Sequence, residues 1–120
     1  MDGLGIYLME KNFFQNVVDI IKRIPYGTVT SYGTVATMAG SPRAARVVGG
    51  ILNSSTERYN LPWQRVLNKD GYLSIKNGLI DSKNLQKELL EQEGVEVSKD
   101  YVVDLNRFGW FGGKQVNRKL

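Results

Sequence analysis

The first stretch of regular patterning lies near the N-terminus, where apolar residues recur at intervals of three and four positions: Phe14, Val17, Val18 and Ile21. This spacing places them on one face of an α-helix. It predicts an amphipathic core helix over residues 11–24, with three further apolar residues beside the stripe, namely Phe13, Ile20 and Ile24. The run Pro25-Tyr26-Gly27 is expected to end this helix, and residues 28–30 to form a short extended segment.

A second helix is expected to follow directly. Ser31 is a suitable N-cap for a helix that runs to about Ala39, because its hydroxyl can accept a hydrogen bond from the first helical turn. Gly40 suits the position just after the helix, where a left-handed backbone is common. Ser41 and Pro42 then suit the N-cap and first turn of a third helix. Two helices joined this closely predict a helix-turn-helix.

The third helix has two distinct faces in its pattern. One is predicted to be an apolar stripe of Ala44, Val47, Val48 and Ile51, and the other carries Arg43, Arg46, Gly50 and Asn53. Gly49 and Gly50 weaken the helix, since each Gly costs up to about 1 kcal/mol relative to Ala, but together with the small Ala45 they allow another backbone to approach. That backbone belongs either to DNA or to a neighbouring helix, with the arginines merely solvated in the second case.

The pattern after the third helix includes a turn between two apolar segments. Residues 65–67 and 72–75 flank Asn68-Lys69-Asp70-Gly71, whose Asp-Gly pair tolerates positive backbone angles. This arrangement predicts a small β-hairpin or wing.

A further helix is expected over residues 82–92, ending at Gly94, with three leucines turned inward: Leu85, Leu89 and Leu90. Residues 101–111 are rich in apolar and aromatic side chains and predict a packed segment, whereas 114–120 are basic and polar and predict a disordered tail. The fold class is therefore mainly α with a small β-hairpin, in one helix-turn-helix domain of winged-helix type that spans residues 1–120.

Composition narrows the function only a little. Sixteen Lys and Arg against twelve Asp and Glu give a net charge of +4, which weakly favours a polyanionic partner. No apolar run approaches the roughly 18 residues of a membrane span and no signal-peptide pattern is present, so we expect a soluble cytoplasmic protein without a membrane partner. The sequence contains no Cys and no His, which excludes a sulfur nucleophile and an imidazole base.

The run Pro62-Trp63-Gln64-Arg65-Val66 resembles the Pro-Cys-His-Arg-Val motif of the O6-alkylguanine-DNA alkyltransferases. In that family the cysteine thiolate takes an alkyl group irreversibly from a flipped guanine. Trp63 stands at the cysteine position here and Gln64 at the histidine position. The resemblance therefore implies a protein that recognises the lesion without the transfer chemistry.

Other segments extend this resemblance along most of the chain. Thr30-Ser31-Tyr32, Ala39-Gly40 and residues 43–50 are similar, in order and spacing, to the DNA-binding helix-turn-helix of the alkyltransferases. Residues 89–94 resemble the family segment that bears a glutamate of the lesion pocket, here Glu93. Tryptophan at the acceptor position, together with the lack of a separate N-terminal domain, resembles the alkyltransferase-like proteins.

The resemblance implies roles for the helix-turn-helix residues on double-stranded DNA that contains O6-alkylguanine. Arg46 would fill the space that the flipped nucleotide leaves in the base stack, since a planar guanidinium can stack and hydrogen-bond there. Tyr32 would crowd the 3′ phosphate and help to rotate the nucleotide outward. Arg43, Gly49 and Gly50 would complete the DNA-binding surface in the minor groove.

The lesion pocket implied by the resemblance contains seven residues: Pro62, Trp63, Gln64, Arg65, Val66, Lys76 and Glu93. Trp63 would supply an aromatic wall for the base, or would instead plug the cavity of a general DNA binder. Arg65 is expected to anchor the motif through a carboxylate such as Glu93. Lys76 lies in a loop, residues 74–78, that would border the pocket.

The function implied by the resemblance is damage recognition by a monomer without cofactor or metal. The bound protein would flag the lesion for nucleotide excision repair proteins, in the nucleoid of a prokaryote or the nucleus of a eukaryote. Two alternatives remain open. A helix-turn-helix transcription regulator would read bases in the major groove, although the third helix offers few base-reading side chains. A lesion-processing enzyme would need a general base, for which Glu93 is the evident candidate.

Overall fold

The computed structural model describes residues 13–73 and 82–112, and all structural statements refer to these residues. Its elements in chain order are α1 (13–22), β1 (Thr30–Ser31), α2 (Tyr32–Met38), α3 (Ala45–Tyr59), a 3₁₀ turn (Trp63–Arg65), β2 (Val66–Leu67), α4 (Ser82–Gln92) and α5 (Leu105–Phe108). The mainly α, helix-turn-helix class is therefore confirmed. None of the described helices is long and apolar enough to cross a membrane.

Helix α1 forms where its apolar stripe predicts it. It contributes four buried residues to the first core cluster, namely Val17, Val18, Ile20 and Ile21. The helix ends at residue 22, two residues earlier than predicted, and the buried Ile24 joins the same cluster from the turn that follows. The same cluster takes in Val35 and Ala36 of α2 and Val48, Ile51 and Leu52 of α3. Burial of these aliphatic side chains holds α1 behind the helix-turn-helix and fixes the two later helices against each other.

The cap that begins α2 and the turn that ends it are as predicted. The Ser31 hydroxyl accepts a hydrogen bond from the backbone N–H of Thr34 at 3.0 Å. Gly40 has a φ of +102°, and its N–H donates to the Thr37 carbonyl, while the Ser41 N–H donates to the Ala36 carbonyl. This pair of bonds is the Schellman arrangement that closes a helix.

The predicted start of the third helix is wrong. Helix α3 begins at Ala45, three residues after Pro42, and the residue that precedes it, Ala44, provides no side-chain cap. Ser41 already ends α2 through its N–H, and its carbonyl accepts a turn hydrogen bond from Ala44 at 3.0 Å. Pro42 and Arg43 consequently lie in the connecting turn, and Ser41 does not cap α3.

The buried face of α3 also differs from the prediction at one position. Val48, Ile51, Leu52 and Ser55 are the buried residues of this helix, whereas 53% of Val47 is exposed. Each residue advances a helix by about 100°, so Val47 lies beside Arg46 once Val48 faces the core. The apolar stripe therefore continues through Leu52 and not through Val47.

The β structure is a parallel pair and not the predicted hairpin. Strands β1 and β2 pair with Thr30 opposite Val66 and Ser31 opposite Leu67. A parallel pair needs a long crossover, which α2 and α3 provide. The sheet thereby ties the start of the helix-turn-helix to the end of the Pro62-to-Val66 motif.

The predicted turn at residues 68–71 is present, but the segment after it has another partner. Gly71 has a φ of +84° and donates its N–H to the Asn68 carbonyl at 3.0 Å. Tyr72 pairs antiparallel with Val102, and a Cβ at Gly71 would lie 2.3 Å from the Val103 carbonyl oxygen. The later segment therefore takes the place of a returning hairpin strand, because only glycine allows its close approach.

Helix α4 has the predicted bounds, and Gly94 follows it with a φ of +86°. Its buried residues are Ser82, Gln86 and Leu90, whereas 41% of Leu85 is exposed, so the prediction that Leu85 turns inward is wrong. The helix is rotated so that the Gln86 amide faces the chain around Val66, which turns Leu85 outward.

A second core cluster joins α4 to the C-terminal segment, and its buried members are Val29, Leu67, Leu73, Leu90, Val95 and Val103. The predicted packed segment at 101–111 is confirmed in part, because Val103 and Trp110 are buried while Val102 and Phe111 are exposed. The predicted tail at 114–120 and the loop that carries Lys76 lie outside the described residues.

Candidate functional site

The Pro62-to-Val66 motif forms a tight 3₁₀ turn between α3 and β2. The backbone N–H of Trp63 donates to the Leu61 carbonyl at 2.8 Å, and the backbone N–H of Arg65 donates to the Pro62 carbonyl at 3.1 Å. Trp63 is half-buried and packs against the first core cluster. Its indole therefore lies at the edge of the core, where one part is held and another part remains accessible.

Glu93, which follows α4, is the centre of a polar network beneath this turn. Only 5% of its side chain is exposed. Its Oε1 accepts from the Gly27 N–H at 2.8 Å and from Arg65 Nε at 3.0 Å, and its Oε2 accepts from Gln64 Nε2 at 2.8 Å and from Arg65 Nε at 3.1 Å. The predicted ion pair between Arg65 and Glu93 is confirmed.

The state of the Glu93 carboxyl follows from these contacts. Burial on its own would raise the pKa of this group, but the hydrogen bonds from Arg65, Gly27 and Gln64 and the charge of Arg65 together lower it below the ordinary value of 4.5. Glu93 is therefore held as a carboxylate, with both oxygens engaged by donors.

Arg65 extends the network toward α1 and the surface. Its Nη1 donates to the Ile24 carbonyl at 2.8 Å, and its guanidinium lies 5.5 Å from the centroid of the Tyr26 ring. The Tyr26 hydroxyl donates to the Gln92 carbonyl at 3.1 Å. Tyr26 is a site neighbour that the sequence analysis treated only as part of a turn.

Gln86 is a second residue that the sequence analysis missed. It is fully buried, and its Nε2 donates to the carbonyls of Gln64 at 3.1 Å and Val66 at 3.3 Å. The Gln86 amide thus supports the backbone on both sides of Arg65. Its position could have been inferred from its spacing, because Gln86 lies four residues before Leu90 and therefore on the same, buried face of the helix.

The helix-turn-helix presents a separate surface. Arg46, Val47 and Gly50 are exposed on α3, and Arg43 is exposed in the turn before it. Within the described chain, neither arginine has an ion-pair partner. A Cβ at Gly50 would meet no atom within 4 Å, so the protein's own packing does not explain this glycine.

Tyr32 is the first residue of α2, and its ring lies near α3. The Tyr32 side chain packs against the first core cluster, and a Cβ at Gly49 would lie 3.9 Å from its Cε1 atom. Burial raises the pKa of the Tyr32 hydroxyl, which keeps it protonated. Gly49 and Tyr32 are therefore neighbours, which is consistent with the prediction that both belong to the DNA-binding surface.

The structure thus brings the predicted residues together in two groups. Gln64, Arg65 and Glu93 form one hydrogen-bonded group, and Tyr32 and Gly49 adjoin in the other. Lys76 lies outside the described residues. Within residues 13–73 and 82–112, no group of three or more acidic, histidine or cysteine side chains could hold a metal ion.

Comparison with known proteins identifies the family. A family model described as the DNA-binding domain of 6-O-methylguanine DNA methyltransferase matches residues 12–95. The chain is 46% identical over 101 residues to a protein of Escherichia coli strain K12 named DNA base-flipping protein, which covers 84% of this chain and 76% of that protein. It is 35% identical over 102 residues to alkyltransferase-like protein 1 of Schizosaccharomyces pombe, with coverage of 82% and 94%.

A solved structure agrees with these relatives. The fold matches the crystal structure of S. pombe Atl1 in complex with damaged DNA containing O6-carboxymethylguanine, with a TM-score of 0.74, 35% identity, and coverage of 83% of this chain and 95% of that one. Sequence and fold agree over most of the chain, and we conclude that it belongs to the alkyltransferase-like proteins, relatives of the O6-alkylguanine-DNA alkyltransferase DNA-binding domain.

Proposed function

We propose that this protein recognises O6-alkylguanine in double-stranded DNA, flips the modified nucleotide out of the duplex, and holds it without transferring the alkyl group. The observation that carries the proposal is the combination of an exposed arginine and glycine face on α3 with a motif in which Trp63 occupies the acceptor position. The following contacts support each step.

Minor-groove docking is supported by the exposed face of α3. Gly50 has open space around it, and a helix keeps such a glycine at a cost of up to about 1 kcal/mol relative to Ala. Close approach of an external backbone accounts for this cost. The guanidinium groups of Arg43 and Arg46 are exposed and form no ion pair with any described residue, so they can meet DNA phosphates and bases there.

Nucleotide flipping requires a group that fills the vacated position in the base stack. Arg46 is exposed on the docking face, and its planar, permanently charged guanidinium can stack between bases and hydrogen-bond the orphaned partner base. Flipping costs a few kcal/mol, and an O6-alkylated guanine is cheaper to extract because its pairing is already weakened. Selectivity therefore begins in the duplex.

The flipped base is held against the side chain of Trp63. Base stacking on an aromatic side chain contributes about 1 to 3 kcal/mol, and the half-buried Trp63 offers such a ring. The network of Glu93, Arg65 and Gln64 holds the turn that carries Trp63 in place. Lys76 is kept as a proposed pocket residue on the resemblance alone.

Absence of alkyl transfer follows from the side chains present. The sequence contains neither a thiol nor an imidazole. Glu93, the candidate general base, already accepts hydrogen bonds on both oxygens and has a lowered pKa, which makes it a weak proton acceptor. A lesion held beside Trp63 therefore meets no activated nucleophile.

A protein that binds a lesion without repairing it must pass the lesion on. We assign this step to nucleotide excision repair proteins, which would recognise the complex of the protein with deformed DNA. The names of the relatives, a base-flipping protein and an alkyltransferase-like protein solved with O6-carboxymethylguanine DNA, support the binding step. The hand-over can be measured as incision of a lesion duplex by excision repair proteins with and without this protein.

The test of lesion recognition is a competition between O6-methylguanine and plain guanine duplexes for the protein. We expect preference for the lesion duplex, and we expect Arg46→Ala to lose most of it because the stack is no longer filled. Arg46→Lys should recover the salt-dependent affinity for plain DNA but not the preference, since an ammonium stacks poorly.

Equal binding of both duplexes by the wild-type protein would contradict lesion recognition and favour a general or sequence-specific DNA binder. Wild-type behaviour of Arg46→Ala would contradict the flipping step alone. Incubation with duplex carrying a radiolabelled alkyl group should yield neither labelled protein nor a released product, and either one would identify an enzyme.

A further inference from the structure

Two lysines of α4 converge on one tyrosine ring. The Nζ atom of Lys83 lies 5.2 Å and that of Lys87 lies 5.5 Å from the centroid of the Tyr101 ring. Lys83 also lies 4.6 Å from the ring centroid of Tyr72 and donates a hydrogen bond to its hydroxyl. The Tyr101 hydroxyl donates to the side-chain Oδ1 of Asn84 at 2.6 Å. Together, Tyr72, Lys83, Lys87 and Tyr101 form what we call the lysine–tyrosine surface.

Neither lysine of this surface forms an ion pair with a described residue. Lys83 and Lys87 are four residues apart on one helix, and like charges at this spacing destabilise a helix by about 0.2–0.5 kcal/mol. The ion pairs among residues 13–73 and 82–112 are Arg65 with Glu93 and Arg107 with Glu96, and neither involves these lysines. Contact with the ring attracts each ammonium but does not relieve the repulsion between them. An anion held by both groups would do so.

The surface belongs to a different part of the fold from the helix-turn-helix. Tyr101 packs against the second core cluster, whose buried members include no residue of α2 or α3. Arg46 and Gly50 lie on α3, which packs in the first cluster. The lysine–tyrosine surface therefore shares no residue and no helix with the docking face described for DNA, and its test does not depend on lesion recognition.

The neighbours of the surface favour a peptide over a nucleic acid. Val102 is exposed, directly follows Tyr101 and pairs with Tyr72, so an exposed aliphatic residue adjoins both tyrosines of the surface. Asp100 directly precedes Tyr101 and Glu88 directly follows Lys87, and both are exposed. These carboxylates interrupt the positive charge of the surface, which suits separate carboxylates with apolar residues between them better than the continuous charge of a phosphate backbone.

We propose that the lysine–tyrosine surface binds an acidic, partly apolar peptide segment of a partner protein. Carboxylates of the segment would lie against the ammonium groups of Lys83 and Lys87, and an apolar side chain would lie on the exposed Val102. The Tyr72 and Tyr101 rings hold the two lysines in place, which lowers the entropy lost when the peptide binds.

The test uses amide NMR spectra of the full chain titrated with a short peptide in which Asp and Glu alternate with Leu and Phe. A control peptide carries Asn and Gln at the acidic positions. We expect the acidic peptide to shift the amide signals of Lys83, Lys87 and Tyr101 at about 0.15 M salt, where charges beyond about 8 Å are screened. The control peptide should leave these signals in place.

Two double variants that each remove two positive charges distinguish binding at this surface from general attraction by the net charge of the protein. Lys83→Gln with Lys87→Gln should weaken the acidic peptide about fivefold, in line with about 1 kcal/mol for two partly exposed charge pairs. Lys22→Gln with Arg23→Gln removes two charges from the end of α1 and the turn after it, including a lysine 5.8 Å from the centroid of the Tyr59 ring, and should leave the affinity unchanged.

Three results would overturn the proposal. The first is an absence of shifts at α4 and Tyr101 at saturating peptide. The second is an equal loss of affinity in both double variants, which would indicate attraction by net charge. The third is a plain DNA duplex that shifts Lys83 and Lys87 and competes with the peptide, since the occupant would then be nucleic acid.

Discussion

Position 50 carries a glycine that the internal packing of the protein does not require. It lies in a regular helix, its surroundings are open, and it is exposed next to Arg46 and Val47 along α3. Glycine in such a place lowers stability without serving the fold. The residue is therefore best explained by contact with another molecule, and the docking face of α3 can be tested there without disturbing the core.

Gly50→Ala should raise the stability of the protein by about 0.5 to 1 kcal/mol while lowering its affinity for duplex DNA, because the added methyl favours the helix but obstructs close approach. Denaturant unfolding and DNA titration measure the two effects. Thr37→Ala also places an alanine at an exposed helical position, but on α2 and without adding a group, and it should not weaken DNA binding. Equal or tighter DNA binding by Gly50→Ala would remove the argument for close approach.

The acceptor position allows a second test at the scale of single residues. Trp63→Cys should not create an efficient alkyltransferase, since the Gln64 side chain donates its N–H to Glu93 and offers no base for the thiol proton. Trp63→Cys with Gln64→His should transfer faster. Stoichiometric transfer of a labelled alkyl group measures both, and rapid transfer by the single variant would show that another group activates the thiol.

At the scale of elements, features set by neighbouring residues could be predicted from the sequence, whereas features set by long-range contacts could not. The Ser31 cap, the Gly40 and Gly94 helix ends and the bounds of α4 depend on neighbouring residues and are confirmed. The parallel pairing of Thr30 with Val66 depends on a crossover of two helices, which no local pattern records.

Helix rotation is the other part that local patterns miss. Leu85 and Val47 each fit an apolar stripe, yet both are exposed because the tertiary contacts of Gln86 and Val48 set the buried face. The ion pair of Arg65 with Glu93 was predicted through the family resemblance, whereas the support of the same turn by Gln86 required the structure.

The Glu93 network predicts how stability depends on pH. The pKa of Glu93 is lower in the folded protein than its ordinary value of 4.5, so the folded state binds the proton less readily than the unfolded state does. The resulting stabilisation is complete above pH 4.5 and is lost as the pH falls from there through the lowered pKa.

Glu93→Gln should therefore cost about 3 kcal/mol near neutral pH, because Arg65 is left partly buried without a charge partner, and should flatten the acid limb of the stability curve. Urea unfolding at a series of pH values measures both. Glu96→Gln is the matched control, since 71% of the Glu96 side chain is exposed in its pair with Arg107, and it should change neither quantity. An unaltered acid limb in Glu93→Gln would assign the acid sensitivity to other carboxylates.

At the scale of the whole molecule, the two tryptophans report on different regions. Trp63 is half-buried in the 3₁₀ turn of the motif. Trp110 is buried near the end of the described chain, where its backbone N–H donates to the Val29 carbonyl at 2.7 Å. An alkylated guanine stacked on Trp63 should change the emission of that indole and leave Trp110 nearly unaffected.

The wild-type fluorescence should consequently respond more to lesion duplex than to plain duplex. The response should persist in Trp110→Phe, whose folding is checked by circular dichroism, and should vanish in Trp63→Phe while DNA binding, followed by anisotropy of a labelled duplex, is retained. Because Trp110 lies in the core and Trp63 at its edge, global tightening on DNA would instead alter both indoles. A lesion-specific response that survives in Trp63→Phe and disappears in Trp110→Phe would place the flipped base away from the Pro62-to-Val66 motif.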